Sequence, residues 1–294
     1  MVHEVRNQSS VSTFILMGFS EFPHLQAPLF LLFISIYTVT LVGILGIILV
    51  RRLSPKLQTS MYFFLSHLSF LDICYSSVIT PKVLEILVVE DRMISFNGCM
   101  TQFFLDYACV ITEMFMLAVM AYDRFVAVYN HLLYTVAMSH KFCALLVAGT
   151  YIWGSLCSMT LTYSLVGLSY CGSNIINHFV YEYSAILSAS CSDPSFSQMV
   201  CFIISTFNEA CNLLIIMASY VFIVATVIRM PSKGDLHKAF SICTSHLTAI
   251  SIFHGIILLL YCVPHDKSSW LLMKEESALN AVMIPMLNPL ITKM

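Results

Sequence analysis

Residues 120–128 of this chain read Met-Ala-Tyr-Asp-Arg-Phe-Val-Ala-Val, which places an acid and a base directly after a long apolar run. The run covers residues 99–121 and holds only two charged side chains. A helix of this length, rising about 1.5 Å per residue, crosses the roughly 30 Å hydrocarbon core of a bilayer. Asp123 and Arg124 are therefore predicted to lie where a transmembrane helix meets water.

The composition supports a membrane protein with one helical domain. The chain has 294 residues, of which 59% are hydrophobic and 10% charged, and its mean hydropathy is +0.85. Soluble domains carry about 25% charged residues. Long uninterrupted apolar runs, rather than short alternating ones, favour helices over a closed barrel. No basic arm or nucleic-acid motif is present, so we expect the bilayer and no nucleic acid as a partner.

Seven apolar runs predict an all-α bundle of seven transmembrane helices that occupies residues 1–294. The runs lie at about 27–50, 62–80, 99–121, 142–165, 199–228, 239–263 and 271–292. Lysines and arginines are more frequent in the segments that would be inside if the N-terminus is outside. We therefore expect residues 1–26 to be extracellular and the C-terminus to be inside. Residues 1–22 lack the pattern of a cleaved signal peptide, and Asn7 begins a glycosylation sequon.

Four separated motifs resemble the olfactory receptors, a family of rhodopsin-like G-protein-coupled receptors. Residues 120–128 resemble the end of that family's third helix, and residues 61–72, Met-Tyr-Phe-Phe-Leu-Ser-His-Leu-Ser-Phe-Leu-Asp, resemble its second. Residues 238–247 resemble the start of the sixth helix and residues 285–291 the seventh. The resemblance implies a multi-pass plasma-membrane receptor without a cofactor. It is expected to bind small, mostly apolar volatile molecules from outside and to activate a heterotrimeric G protein of the stimulatory olfactory type through cyclic AMP.

The resemblance also implies a ligand pocket between the third, fifth and sixth helices. The matching positions are Asp106, Tyr107, Val110, Ile111, Ile204, Ser205, Asn208, His254, Ile257, Leu258 and Tyr261. Such a pocket binds through apolar burial with a few polar contacts. Asp106 resembles the acid with which amine receptors hold a ligand ammonium. Ordinary bundle packing is the competing interpretation for each of these residues.

The G-protein switch implied by the resemblance lies at the inner end, where Asp123 is expected to pair with Arg124 and restrain it. The corresponding positions are Asp123, Arg124, Tyr220, Lys238, Asn288 and Pro289. Intramembrane acids are costly and usually face the bundle interior. Asp72 and Glu113 match family acids in the second and third helices and form a candidate site for a proton or a sodium ion, with a structural polar cluster as the alternative.

Cysteine placement and several departures from the family pattern bear on signalling. Cys171 and Cys191 lie in the predicted outer loop, where an oxidising exterior favours a disulfide between them. By resemblance, Cys99 would anchor a second bridge, but Tyr181 occupies its partner's position and leaves Cys99 as a free buried thiol. The further departures are Ile44, Ser60, Phe125 and Thr292, and Met294 comes before the family's eighth helix.

Three other classes of function are weighed against a working receptor. The first is a receptor relic in which these departures impair signalling. A small-solute transporter or a channel would need broken helix pairs, internal symmetry or a ring of like charges, and the sequence shows none of these. An enzyme would need a catalytic motif, which is not evident.

Overall fold

The computed structural model describes residues 13–16, 23–53, 59–88, 93–129, 133–170, 175–176, 183–228, 244, 247–248 and 250–255. The described helices are α1 (Pro23–Leu53), α2 (Ser60–Val88), α3 (Phe96–Tyr129), α4 (Tyr134–Ala137), α5 (His140–Val166), α6 (Tyr183–Ser188) and α7 (Ser195–Ile228). The strands are β1 (Thr13–Leu16), β2 (Met93–Ser95) and β3 (Ile175–Ile176). Helices α1, α2, α3, α5 and α7 cover the first five predicted spans.

The long helices have the length and composition of membrane spans. Within the described ranges, four candidate spans satisfy both conditions, at Gln26–Gly46 in α1 and over the whole of α3, α5 and α7. Helix α2 is not among them, and it carries Asp72, Lys82 and Glu85. The predicted sixth span is helical where it is described, at residues 244, 247–248 and 250–255, and residues 271–292 lie outside the description.

Helix α3 lies at the centre of the described bundle and packs against α2, α5 and α7. It approaches α5 closely at Gly154, where an added Cβ would overlap Thr112 Oγ1 and lie 2.9 Å from the backbone oxygen of Ala108. Ser158 Oγ donates to the backbone oxygen of Phe104 at 2.6 Å, which joins the same two helices. Small residues allow transmembrane helices to pack this closely.

Apolar side chains of α2, α3, α5 and α7 form a central cluster along the bundle. Ile44 of α1 is also fully buried. The apolar side chain at this departure from the family pattern thus lies in the interior of the protein. Buried members of the central cluster include Leu65, Leu68, Leu71, Tyr75, Met114, Met116, Leu117, Met120, Val147, Ile216, Tyr220, Ile223 and Phe253.

A three-stranded sheet covers one end of the bundle, which we call the sheet end. Strand β1 lies between the other two, antiparallel to β2 and parallel to β3. Because β1 precedes α1, β2 lies between α2 and α3, and β3 lies between α5 and α7, these three connections share one side of the bundle. That arrangement agrees with the predicted alternation of the spans.

Beneath the sheet lies a second apolar cluster, the sheet-end cluster. Phe14 of β1 packs edge-to-face on Tyr170, with ring centroids 5.5 Å apart, and Phe103 of α3 lies 5.9 Å from Tyr183. The pKa values of both tyrosines are raised by burial. The members of the cluster are Phe14, Ile86, Cys99, Met100, Phe103, Leu161, Leu165, Tyr170, Tyr183, Ala185, Ile186 and Leu187.

Candidate functional site

Asp123 is the centre of a hydrogen-bond cluster at the end of α3 opposite the sheet, which we call the Asp123 end. The residue is only 1% exposed. Its Oδ1 accepts from Ser60 Oγ at 2.8 Å and from Tyr134 OH at 2.9 Å, and the two hydroxyl groups also contact each other. Three elements, α2, α3 and α4, therefore meet at one carboxylate oxygen.

Tyr134 and Ser60 are functional candidates that the sequence-based site did not include. Burial is the main cause that raises the pKa of Tyr134 to about 12, so its hydroxyl is protonated and available to donate at neutral pH. In the sequence, Ser60 stood out only as a departure from the family pattern. That departure introduces the hydroxyl that donates to Asp123. Tyr134 follows Asp123 by eleven residues, and no sequence spacing indicated their hydrogen bond.

Arg124 does not form the ion pair with Asp123 that was expected. In the described part of the chain, Lys82 forms an ion pair with Glu85 and Glu209 lies against His254, but no ion pair involves Asp123 or Arg124. The guanidinium instead contacts Met61 Sδ through Nη2, and its Nε is buried without a hydrogen-bond partner. The restraint at this end thus acts on the acid of the Asp-Arg pair, through Ser60 and Tyr134.

The remaining predicted switch residues are only partly described. Tyr220 of α7 is buried in the central cluster. Phe125, next to Arg124, packs on Phe222 of the same helix as Tyr220, with ring centroids 5.6 Å apart. Lys238, Asn288 and Pro289 lie outside the described residues.

Asp72 and Glu113 are both buried and face each other across α2 and α3. Their carboxyl groups interact electrostatically. Glu113 Oε2 has no hydrogen-bond partner in the described structure, and Ser69 and Ser76 of α2 are buried on the same side as Asp72. No group of three or more metal-ligating side chains occurs among the residues that the structure describes.

Most predicted ligand residues that are described lie along the facing sides of α3 and α7. Tyr107 stacks on Phe103 with ring centroids 4.5 Å apart, and both Tyr107 and Ile204 pack against the sheet-end cluster. Val110 packs against the central cluster, Ile111 is buried, and Asp106 is partly buried. Ser205 contacts Cys201 at 3.9 Å. Ile257, Leu258 and Tyr261 lie outside the described residues.

Asn208 is directed toward α5. Its Oδ1 accepts from Trp153 Nε1 at 2.8 Å, and its Nδ2 lies 3.8 Å from Cys157 Sγ. The side-chain amide therefore contributes to helix packing, and its role as a ligand contact stays a prediction.

His254 and Glu209 form a buried pair between the predicted sixth span and α7. The distance from His254 Nδ1 to Glu209 Oε1 is 2.8 Å, and the residues are 4% and 8% exposed. His254 Nε2 and Glu209 Oε2 have no partner in the described structure. Glu209 lies within the predicted span at residues 199–228, and the predicted site does not include it.

The two cysteine predictions for the sheet end have different outcomes. Cys191 is disulfide-bonded, whereas Cys99 is a free, fully buried thiol, as its predicted lack of a partner implied. Tyr170 and Ser190 form an antiparallel bridge, so the residues just before each predicted partner are adjacent. Cys171 lies outside the described residues, and its pairing with Cys191 stays a prediction. The sequon at Asn7 also lies outside them.

An apolar cavity of about 250 Å³ opens between α3, α5 and α7 on the Asp123 side. It is lined by Phe115, Ala118, Val119, Tyr122, Phe142, Leu146 and Ile215. None of the predicted ligand residues lines it, so it gives no support to the predicted pocket.

Comparison with known proteins identifies the family. The family model described as "Olfactory receptor" matches residues 33–294. The chain is 76% identical over 291 residues to olfactory receptor 1165 of Mus musculus, covering 99% of this chain and 92% of that protein. It is 58% identical over 293 residues to olfactory receptor 5D13 of Homo sapiens, covering 99% and 93%. The similarity thus extends over nearly the full chain.

Family membership also settles the class of fold and of activity. Olfactory receptors are membrane G-protein-coupled receptors and not enzymes, and the apolar helices described above fit their seven-helix bundle. The predicted all-α seven-transmembrane class is therefore confirmed. With its motifs, its helices and its relatives in agreement, this chain belongs to the olfactory receptor family.

Proposed function

We propose that this chain is an odorant receptor that binds small volatile ligands from outside and activates a stimulatory heterotrimeric G protein, raising cyclic AMP, at the plasma membrane. In this proposal the N-terminus and the sheet end are extracellular and the Asp123 end is cytoplasmic. The observation that carries the signalling half is the bonded state of Asp123, because one buried carboxylate joins α2, α3 and α4 where a G protein would bind.

The resting state is the hydrogen-bonded arrangement of Ser60, Asp123 and Tyr134. A partner helix that enters between the helices at this end competes with bonds worth about 1 kcal/mol each, or somewhat more for bonds to a charged group. Ligand binding shifts the population toward the open arrangement only if the ligand binds that arrangement more tightly. Arg124, freed from Met61, would then contact the partner.

The buried acids Asp72 and Glu113 link the two ends through the middle of the bundle. Two carboxylates close together in a buried site repel each other, so a shared proton or a sodium ion would stabilise one packing of α2 against α3. Loss of that occupant favours another packing.

The predicted ligand site uses the sides of α3 and α7 beneath the sheet-end cluster. Apolar surface comes from Tyr107, Val110 and Ile204. Among the predicted ligand residues of α3, the acidic side chain is that of Asp106. Burial of apolar area supplies most of the affinity for a small volatile molecule, at about 25 cal/mol per Å².

A cyclic-AMP reporter assay in cells expressing a surface-tagged chain tests the proposal with a broad panel of volatiles that includes amines. We expect a dose-dependent rise that Arg124→Ala abolishes and that Lys141→Ala, which removes an exposed base at the same end, leaves intact. Asp106→Asn then tests the charge: if an amine is among the agonists, its potency falls with this variant and that of neutral agonists does not.

A signalling-impaired receptor is the second candidate, and the free Cys99 is the observation that favours it. Without the bridge from this cysteine, the sheet end relies on the disulfide at Cys191 and on apolar packing. Normal surface staining together with silence toward the whole panel would establish an uncoupled receptor. Intracellular retention would establish a folding defect.

A further inference from the structure

We propose that the buried pair of Glu209 and His254, together with Asn212, forms the polar end of the ligand pocket and selects ligands that carry a hydroxyl group. This inference rests on the proposed function, since it names the ligand class of the same pocket. It follows from the hydrogen-bonding capacity that the three side chains leave unused.

The three residues are deeply buried at one level of the bundle. Glu209 and Asn212 are three residues apart in α7, so they lie on the same helix face, and His254 reaches Glu209 from the neighbouring helical segment. Asn212 is fully buried. Polar groups in such a position are usually hydrogen-bonded, because a buried polar group without a partner loses its bonds to water and gains none in return.

Each of the three residues nevertheless has one atom without a hydrogen-bond partner in the described structure. These atoms are Glu209 Oε2, His254 Nε2 and Asn212 Oδ1. The Asn212 oxygen is an amide carbonyl and can only accept, and the amide nitrogen of the same side chain donates to the backbone oxygen of Asn208 at 3.0 Å. The cluster is thus satisfied internally at Glu209 Oε1 and His254 Nδ1 and left open at its remaining atoms.

The open atoms require a hydrogen-bond donor whatever the protonation of the pair. If the pair is ionised, or if Glu209 holds its proton on Oε1, then Oε2 accepts and Nε2–H donates. If His254 is neutral and Glu209 is charged, both open atoms accept. Asn212 adds an acceptor in every case. A group that occupies this site must therefore donate, and in the two net-neutral states it must also accept.

A hydroxyl group meets both requirements with one oxygen atom. An aldehyde, a ketone or an ether can accept from Nε2–H but leaves Glu209 Oε2 and Asn212 Oδ1 unpaired. An ammonium group can donate to the open acceptors but cannot accept from Nε2–H in the two net-neutral states, whereas a hydroxyl group can serve in all three states. Sites built to hydrogen-bond a hydroxyl discriminate strongly against analogues that lack it, because the polar groups of the protein are left buried without partners.

Sets of volatiles that share a carbon skeleton and differ only in the polar group test this ligand class. Each set contains a medium-length straight-chain or aromatic alcohol, its aldehyde and its methyl ether, and the readout is the cyclic-AMP response of surface-expressed receptor. We expect the alcohol to act at a concentration about tenfold or more below that of its aldehyde or ether. In His254→Phe and Glu209→Gln, the ratio of the ether's effective concentration to that of the alcohol should fall toward one.

The control is Ser219→Ala, which removes a buried hydroxyl from α7 that bonds only within its own helix. This variant should keep the ratio of potencies. If the pair has only a structural role, His254→Phe and Glu209→Gln will reach the surface in smaller amounts. The receptor that does reach the surface will keep the unmodified ratio of ether to alcohol effective concentrations, and that result overturns the inference.

Two further outcomes are decisive. Equal or greater potency of aldehydes and ethers in the unmodified chain overturns the ligand class while leaving the proposed function in place; this is the result expected if ordered water satisfies the open atoms. Silence toward every set at normal surface expression contradicts the proposed function itself, and the ligand class with it.

Discussion

The sheet end and the Asp123 end of the bundle are stabilised by different forces. At the sheet end, twelve buried residues pack beneath three short strands, and the described hydrogen bonds there mainly satisfy buried tyrosine and serine hydroxyls. At the Asp123 end, two hydroxyl groups donate to one oxygen atom of Asp123. Opening an apolar cluster costs free energy in proportion to the apolar area that becomes exposed. The few hydrogen bonds to Asp123, in contrast, can be broken together and replaced by bonds to a partner. The first arrangement suits a rigid cover, and the second suits a switch.

Removal of the Phe103 ring should have the largest effect on this contrast. Phe103 is fully buried and touches Tyr107 and Tyr183, so Phe103→Ala leaves a cavity under the sheet and is expected to cost about 3–5 kcal/mol of stability. Leu105→Ala, at an exposed position two residues along α3, is the control. Thermal unfolding of the detergent-solubilised receptor measures both. Equal unfolding temperatures would show that the sheet-end cluster does not stabilise this end.

A methyl group at Gly154 should have the next largest effect, because α3 is shared by both ends. The added Cβ of Gly154→Ala would collide with the Thr112 hydroxyl, which donates to the backbone oxygen of Ala108, and with that oxygen itself, which cannot move without shifting α3. We expect a loss of about 1–3 kcal/mol and lower surface delivery. Gly149→Ala is a matched control, since nothing lies within 4 Å of its new Cβ. If the two variants behave alike, the close packing of α3 on α5 is not required.

The fold class was predictable because apolar length alone specifies a membrane helix. Helix ends were less so: α2 continues to Val88 and α3 to Tyr129, beyond the predicted 80 and 121, because hydrogen bonding within a helix continues past its apolar part. The sheet was not predicted. Its strands have two to four residues and pair across most of the chain, too short for an alternating pattern to be visible.

The candidate site shows the same limit at the level of side chains. Sequence motifs identified Asp123 and Arg124 but not their partners, because Ser60 lies sixty-three residues from Asp123 and is brought to it only by helix packing. The sequence shows Glu209 as an acid within a predicted span, but its contact with His254 depends on how α7 is rotated against the next helical segment. Spacing along one helix does not specify that rotation.

Removal of the Ser60 hydroxyl tests whether the Asp123 end is a switch. Ser60→Ala deletes one donor to Asp123 and leaves Tyr134 in place, which should weaken the resting arrangement by about 1 kcal/mol. We expect ligand-independent cyclic AMP to rise about fivefold, since a free-energy change of that size shifts a two-state population by this factor. Thr59→Ala, one residue away, should not change it. Unaltered basal signalling in Ser60→Ala at equal surface density would make the cluster a structural cap.

The smallest predicted effect is at the start of α7, at the sheet end. There the carboxylate of Asp193 accepts hydrogen bonds whose contribution to stability depends on pH. Asp193 Oδ1 accepts from the backbone nitrogen of Ser195 at 3.0 Å and from its hydroxyl at 2.5 Å, and these bonds lower the pKa of Asp193 below its usual range. Because the pKa is lower in the folded chain than in the unfolded one, this contribution is present above the unfolded pKa of about 3.9 and is lost as pH falls through the folded value.

The difference in unfolding temperature between the unmodified chain and Asp193→Asn should therefore be small and constant near about pH 6 and should shrink below about pH 4. Ser195→Ala removes the hydroxyl donor and should weaken this pH dependence. A difference that stays constant or widens in acid would show that the start of α7 owes nothing to the charge of Asp193, and apolar packing would then account for the sheet end without it.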